Sequence, residues 1–266
     1  MERPLRAIAT AFLYSLSTPV KPGGLHRFLS SLEYEVRMQE FLVALGHALE
    51  AYRRGRELAR GARDAGSLGL GHLAGQSIRE AMAETGERPL PGLHVSLITI
   101  SAAAGYNGGL QELRIRLHRI LSTLLYGSSP EDAVELVEGL EAVGAREHVM
   151  LLDERGLTPG RIRLNAYTLG NVYEALESVD YGFLVNPRGA RLLVDAAKAV
   201  GEVKSLAEAS VRAYLELLTR VNPDLAPPAL SLKALARYDQ ELRRKGVNLE
   251  HLNPAAGVVV VLSQSA

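Results

Sequence analysis

The 266-residue chain has no cysteine and no tryptophan, and only 5% of it is aromatic. Without cysteine there are no disulfides, no thiolate zinc sites and no cysteine nucleophile, a composition that fits a cytoplasmic location. Lysine is scarce as well, supplying five of the 30 basic residues. Neither sign of charge is in excess, because Lys+Arg and Asp+Glu each number 30. Composition therefore gives no reason to expect a nucleic-acid partner or an acidic disordered chain, and specificity must come from local sites. No apolar run reaches membrane-spanning length. Arg3 and Arg6 do precede a mostly apolar stretch, but Leu5, Ile8, Ala9, Phe12, Leu13 and Leu16 follow helical spacing. That is a one-sided helix, whereas the core of a secretion signal is apolar all round.

Several common chemistries are missing too. The chain contains no Walker loop, dinucleotide fingerprint, HExxH or GxSxG motif. Its seven histidines are scattered without the companions a zinc site needs, so His47 and His94 read as structural.

What is present is hydrophobic residues in abundance, 47% of the chain, arranged in long periodic segments without convincing strand alternation. The expectation is an all-α fold: one large domain over residues 1–266, built from about nine to eleven helices at ordinary helix lengths. Met38, Phe41, Leu42, Leu45, Leu49 and Tyr52 mark the apolar stripe of a long second helix. On the same helix Arg53, Arg56, Arg60 and Arg63 share a face, either as a solvated surface partnered by Glu50 and Glu57 or as a secondary polyphosphate clamp. Leu93 to Ala104 is apolar and β-branched and is read as helix. Ser129-Pro130-Glu131-Asp132 is a helix start with Ser129 as N-cap and acids in the first turn. Residues 146–166 read as an irregular connection. A helix opened by Thr168 extends to Phe183 and carries Asp180 on its apolar side. A carboxylate there must be paired, metal-bound or facing a cleft, because an isolated buried charge is too costly.

The segment around which these helices are organised is Ser17 to Arg27, which contains two prolines, two glycines, Lys21, His26 and Arg27. Pro19 and Pro22 prevent helix, while Gly23 and Gly24 allow backbone amides to approach a ligand. Lys21, His26 and Arg27 surround those amides with positive charge. The segment reads as an anion cradle for a phosphate chain, or as a structural corner between two helices.

Pro19-Val20-Lys21-Pro22-Gly23-Gly24-Leu25-His26-Arg27 resembles the P-K-P-G-x-V-H-R loop of the triphosphoribosyl-dephospho-coenzyme A synthase family, in its archaeal branch. Ser129-Pro130-Glu131-Asp132-Ala133 is similar to that family's T-x-E-D-A helix start, and the segment ending at Asp180 to its D-x-I-A segment. The run from Tyr238 to Asn248 is similar to its D-x-x-L-R-x-x-G-x-N-P approach. The family's N-T-x-L-G motif and its terminal aspartate have no clean counterpart. The resemblance implies an all-α transferase that uses ATP, with Mg²⁺, and a dephospho-coenzyme A-like acceptor, releasing adenine. In it Lys21, Gly23, Gly24, His26 and Arg27 would hold phosphate, and Asp180 would bind the metal or face the developing cation. A homodimer is compatible with it. The alternative is a non-catalytic all-α protein that keeps the nucleotide- or phosphate-binding loop, and a further one is a helical scaffold.

Overall fold

Glycine decides how closely the two central helices approach. In the computed structural model, which describes residues 2–28, 31–201, 203 and 205–265, helix α2 (Ser31–Ala59) lies along α4 (Pro91–Asn107). A Cβ on Gly55 would sit 2.2 Å from the Ala102 carbonyl oxygen, and one on Gly105 would sit 2.2 Å from that of Tyr52. The backbones touch where side chains would otherwise hold them apart. Helix α4 is buried from Pro91 through Gly105, which accounts for its unbroken apolar run: with protein on every side there is no solvent face to mark with polar residues.

Around this pair are α1 (Arg3–Ser17), α3 (Leu70–Thr85), α5 (Leu113–Leu121), α6 (Pro130–Ala142), α7 (Arg146–Glu154), α8 (Pro159–Asn165) and α9 (Leu169–Leu176). The chain continues through α10 (Ala190–Val200), α11 (Leu206–Val221), α12 (Leu232–Arg244) and α13 (Leu252–Ser263). Among the described residues the fold is all-helical, with no strand. One contiguous apolar cluster, running from Leu5 to Leu262, takes a residue from every α-helix. Helix α13 is buried from Leu252 to Leu262 and packs on α1, α10 and α11. No described helix is long and apolar enough to cross a membrane.

Three expectations need correction. The thirteen α-helices slightly exceed the nine to eleven expected, and the difference is the stretch 146–166, which forms α7 and α8. Each of these short helices fully buries a single residue, Leu152 and Ile162, so neither displays an apolar stripe. The helix opened by Thr168 does begin there, with a capping box to Asn171, but it ends at Leu176; Tyr181–Leu184 is a separate 3₁₀ turn with Asp180 as its N-cap. Finally, α2 buries only part of its expected apolar stripe. Phe41 and Tyr52 are inside with Ala44, Ala48 and Ala51, and Met38 and Leu45 pack against the core, while Leu42 and Leu49 are 63% and 44% exposed. The close approach to α4 requires small residues, so these two leucines face outward.

Candidate functional site

The segment between α1 and α2 is buried from Val20 to His26 and is fastened from three sides. Tyr214 Oη of α11 donates to the Pro22 carbonyl at 2.7 Å, and the Leu249 amide donates to that of Gly23 at 2.7 Å. Asn253, at the start of α13, accepts the Leu25 amide at 2.9 Å and donates to the carbonyls of Ser15 and Leu25. Gly23 has φ +71°, in the left-handed region that favours glycine. A Cβ on Gly24 would meet the Tyr214 ring at 2.7 Å and Asn253 Oδ1 at 2.8 Å.

Lys21 points inward. Its side chain has no exposed surface, and Nζ donates to the main-chain carbonyls of Ser15 and Leu25. Burial lowers its pKa to about 7. The Gly23 amide donates to Asp239 Oδ1 at 2.8 Å and the Gly24 amide to the Lys21 carbonyl at 2.9 Å. Four of the five groups expected to cradle an anion are thus engaged within the chain, His26 included, since its Nδ1 accepts the Phe28 amide at 3.3 Å, and the loop is locked by the contacts that the sequence assigned to a ligand. Arg27 is placed differently. His26 is 4% exposed with Nε2 3.2 Å from Asp239 Oδ2, and Arg27 is exposed with its guanidinium 5.2 Å from the Phe28 ring centroid.

Asp239 of α12 is the organiser. It accepts the Gly23 amide, faces His26, and receives Arg243 Nε at 3.1 and 3.0 Å on its two oxygens. Burial alone would raise its pKa, but the bonds from His26, Gly23 and Arg243 outweigh burial and hold it below the usual carboxylate value. Arg243 Nη2 also donates to the Gly24 carbonyl at 2.8 Å. Two cavities flank this knot. A groove of 770 Å³ is lined by His26, Phe28, Lys233, Asp239 and Arg243, and a smaller cavity of 280 Å³ by Arg37, Glu87, Arg243, Asn248 and Glu250. Asp239 was discoverable: it stands four residues after Leu235 and three before Leu242, a carboxylate on an apolar face, the same signal that singled out Asp180.

Asp180 lines neither cavity. It is 3% exposed, its Oδ2 accepts the Gly92 amide at 2.8 Å, and its Oδ1 accepts the Gly182 amide at 2.9 Å. His148 Nε2 approaches Oδ2 at 3.2 Å. The carboxylate caps the N-terminus of α4 and the 3₁₀ turn together, where the macrodipole favours negative charge. Nearby His251 stacks on Tyr181 at 5.1 Å, and burial lowers its pKa although Asp180, Glu250 and Glu147 pull it up. Both Asp180 oxygens are occupied by N–H groups, and among the described residues no group of three or more His, Asp or Glu side chains converges as a metal site. The residues around Asp180 therefore do not fit a resident Mg²⁺.

Two further sequence features resolve structurally. His94, wholly buried, bridges Ser77 Oγ at 2.7 Å and Glu40 Oε1 at 3.0 Å, and Glu40 also holds Arg37 at 2.7 Å. Ser77 is as buried as His94, so this Ser–His–Glu chain has no access for a substrate. The expected arginine face of α2 divides: Arg53 pairs with Glu50 and Glu57 and Arg56 with Glu2 on the helix, whereas Arg60 and Arg63 lie beyond its end at Ala59, with Arg63 paired to Glu57, so the four do not share one helix face.

No family model, no curated protein and no solved structure matches this chain. Function has to be argued from the geometry and from the loop motif.

Proposed function

We propose that the chain binds a nucleotide-like phosphorylated small molecule in the groove between residues 17–28 and α12. One arrangement carries this reading: Asp239 fixes His26 and Arg243 beside a 770 Å³ groove that Lys233 and Phe28 also line. That volume is in the range of small-molecule sites, roughly 300–1,000 Å³. Arginine and lysine suit phosphate oxygens, and Arg243 lines the groove while its Nε and Nη2 hold the wall. The Phe28 ring, 60% exposed, offers a face to a base. Lys21, Gly23, Gly24 and His26 give the loop its shape, Lys233 and Arg243 supply the positive charge of the groove, and Arg27 lies beside Phe28 outside its lining. Any Mg²⁺ arrives with the triphosphate.

Calorimetric titration with MgATP tests the proposal. The wild type should bind, Phe28→Ala combined with Lys233→Glu should weaken binding by about tenfold or more, equivalent to 1.4 kcal/mol, and Lys21→Met should bind as the wild type does. Absence of binding by ATP, ADP and inorganic triphosphate alike would overturn it, as would full affinity in the Phe28/Lys233 variant.

A second reading, transfer, is favoured by the resemblance of the 19–27 motif. In it the ribose hydroxyl of dephospho-coenzyme A, or of a related acceptor, forms a bond to the anomeric carbon of ATP as the bond to adenine breaks, and the hydroxyl proton leaves with adenine. Asp180 would then act by positioning α4, since its oxygens are occupied. Chromatographic detection of adenine from ATP, Mg²⁺ and dephospho-coenzyme A decides it: binding without adenine release leaves the non-catalytic protein.

A further inference from the structure

The outward face of α2 is organised although no described residue covers it. Among its exposed positions are 32, 35, 39, 42, 46, 49 and 53, alternating three and four residues apart. That is the heptad spacing by which one helix meets another along its length. The seam comprises Leu32, Glu35, Gln39, Leu42, Gly46, Leu49 and Arg53, and extends about 32 Å at 1.5 Å per residue. Leu42 and Gly46 belong to a 400 Å³ groove that Val43, Leu73 and Ala83 also line, and a Cβ on Gly46 would meet nothing within 4 Å. A glycine at mid-helix costs about 1 kcal/mol relative to alanine. Here no contact among the described residues calls for it.

We propose that this face is the interface of a two-fold homodimer in which α2 pairs antiparallel with α2 of a second copy about an axis at Ala44. The occupant is identified by register. An axis at residue 44 sets Leu42 opposite Gly46, Gln39 opposite Leu49 and Glu35 opposite Arg53, so one apolar and one charged pair match at once, with Arg53 held in place by Glu50 and Glu57 of its own helix. The leucine enters the open space over the glycine, and the two ends close with opposite charges. The charge along the helix agrees: leaving out the buried Glu40, residues 31–42 carry two carboxylates and one guanidinium group, and residues 46–57 carry three guanidinium groups and two carboxylates. Antiparallel pairing brings the acidic half of each helix against the basic half of the other and opposes their macrodipoles. Parallel pairing would set like against like, Glu35 on Glu35 and Arg53 on Arg53. The isologous geometry is the commonest in soluble oligomers, and the same patch serves both copies. This interface is independent of the proposed ligand groove.

Light scattering on the full chain should report a dimer at concentrations up to about 100 µM. Leu42→Asp and, separately, Gly46→Gln should give monomers; both positions are exposed, so neither change disturbs the fold. Glu35→Arg should weaken the dimer, and adding Arg53→Glu should restore it. Because the chain lacks cysteine, register can be read directly: mixing Gln39→Cys and Leu49→Cys proteins under oxidation should yield a disulfide-linked heterodimer, whereas neither alone should cross-link across a gap of about 15 Å. A monomeric wild type overturns the proposal, whether the face is bare or taken by another protein. A dimer indifferent to Leu42→Asp, or cross-linking of Gln39→Cys with itself, overturns it equally.

Discussion

Asp180 occupies the space that a side chain at residue 92 would need. Its Oδ1 lies 2.1 Å from the position of a Cβ on Gly92, while its Oδ2 accepts the Gly92 amide at 2.8 Å. Gly182 completes the lock, since a Cβ there would meet Gly92 Cα at 2.3 Å. The start of the fully buried α4 is therefore set by one carboxylate and two glycines from distant parts of the chain.

Gly92→Ala should destabilise the protein by about 3 kcal/mol or more, beyond the usual 1–3 kcal/mol of an overpacked core, because the methyl group meets a carboxylate and a backbone together. The urea midpoint measures it, and a variant as stable as the wild type would show that the 180–182 turn yields easily.

Asp180→Asn separates a structural from a chemical role. The carboxylate accepts two amides and faces His148, whereas an asparagine has one oxygen and sets an N–H₂ group against an N–H donor. The expected cost is about 1–3 kcal/mol of stability. Nucleotide affinity should remain near that of the wild type at temperatures where the variant is folded. Normal stability with lost adenine release would instead make Asp180 a participant in transfer.

Much of the fold was legible because its helices have ordinary punctuation. Ser129 accepts the Asp132 amide at 3.2 Å, as a serine before proline implies, and Thr168 forms its capping box. The inward turn of Lys21 was not legible. The carbonyls that take its protons, those of Ser15 and Leu25, are close in sequence, but the residues that fold the loop around them, Tyr214, Asp239 and Asn253, are not, and no local pattern encodes that meeting. The stripe of α2 is legible only in part: periodicity places Phe41, Leu45 and Tyr52 inward, but helix approach at Gly55 and Gly105 selects the alanine side and leaves Leu42 and Leu49 outside.

Lys21→Met should change how stability depends on pH. The folded lysine titrates near 7 because burial disfavours its charge, and the unfolded lysine near 10.5. Between those values the unfolded chain binds the extra proton, so the lysine's penalty is full below about pH 7 and shrinks as pH rises, by about 1.4 kcal/mol per unit. Methionine removes that slope and should stabilise the protein most at and below pH 7. The fold should tolerate the change, since Asn253 Nδ2 also donates to both carbonyls, Ser15 and Leu25. Urea unfolding of both proteins from pH 6 to 10 checks this; parallel curves would place a counter-ion beside Lys21.

Asp132→Asn should act in the opposite pH window. Asp132 is 4% exposed, its Oδ1 accepts the His72 amide at the start of α3 at 2.9 Å, and its Oδ2 is buried with no hydrogen-bond partner. Burial raises its pKa to about 6, against the opposing pull of the His72, Gly71 and Leu70 amides. The folded chain therefore holds a proton that the unfolded chain releases near pH 4, and stability falls as pH rises from about 4 to about 6, at about 1.4 kcal/mol per unit. Asparagine keeps an acceptor for the α3 amides and carries no charge to bury. The variant should match the wild type near pH 4 and exceed its stability by about 1–3 kcal/mol at pH 7, once the Oδ2 charge no longer has to be buried. Denaturation from pH 4 to 8 measures the gap. A wild type more stable than Asp132→Asn at pH 7 would mean that the helix dipole of α3 outweighs burial and keeps the carboxylate ionised.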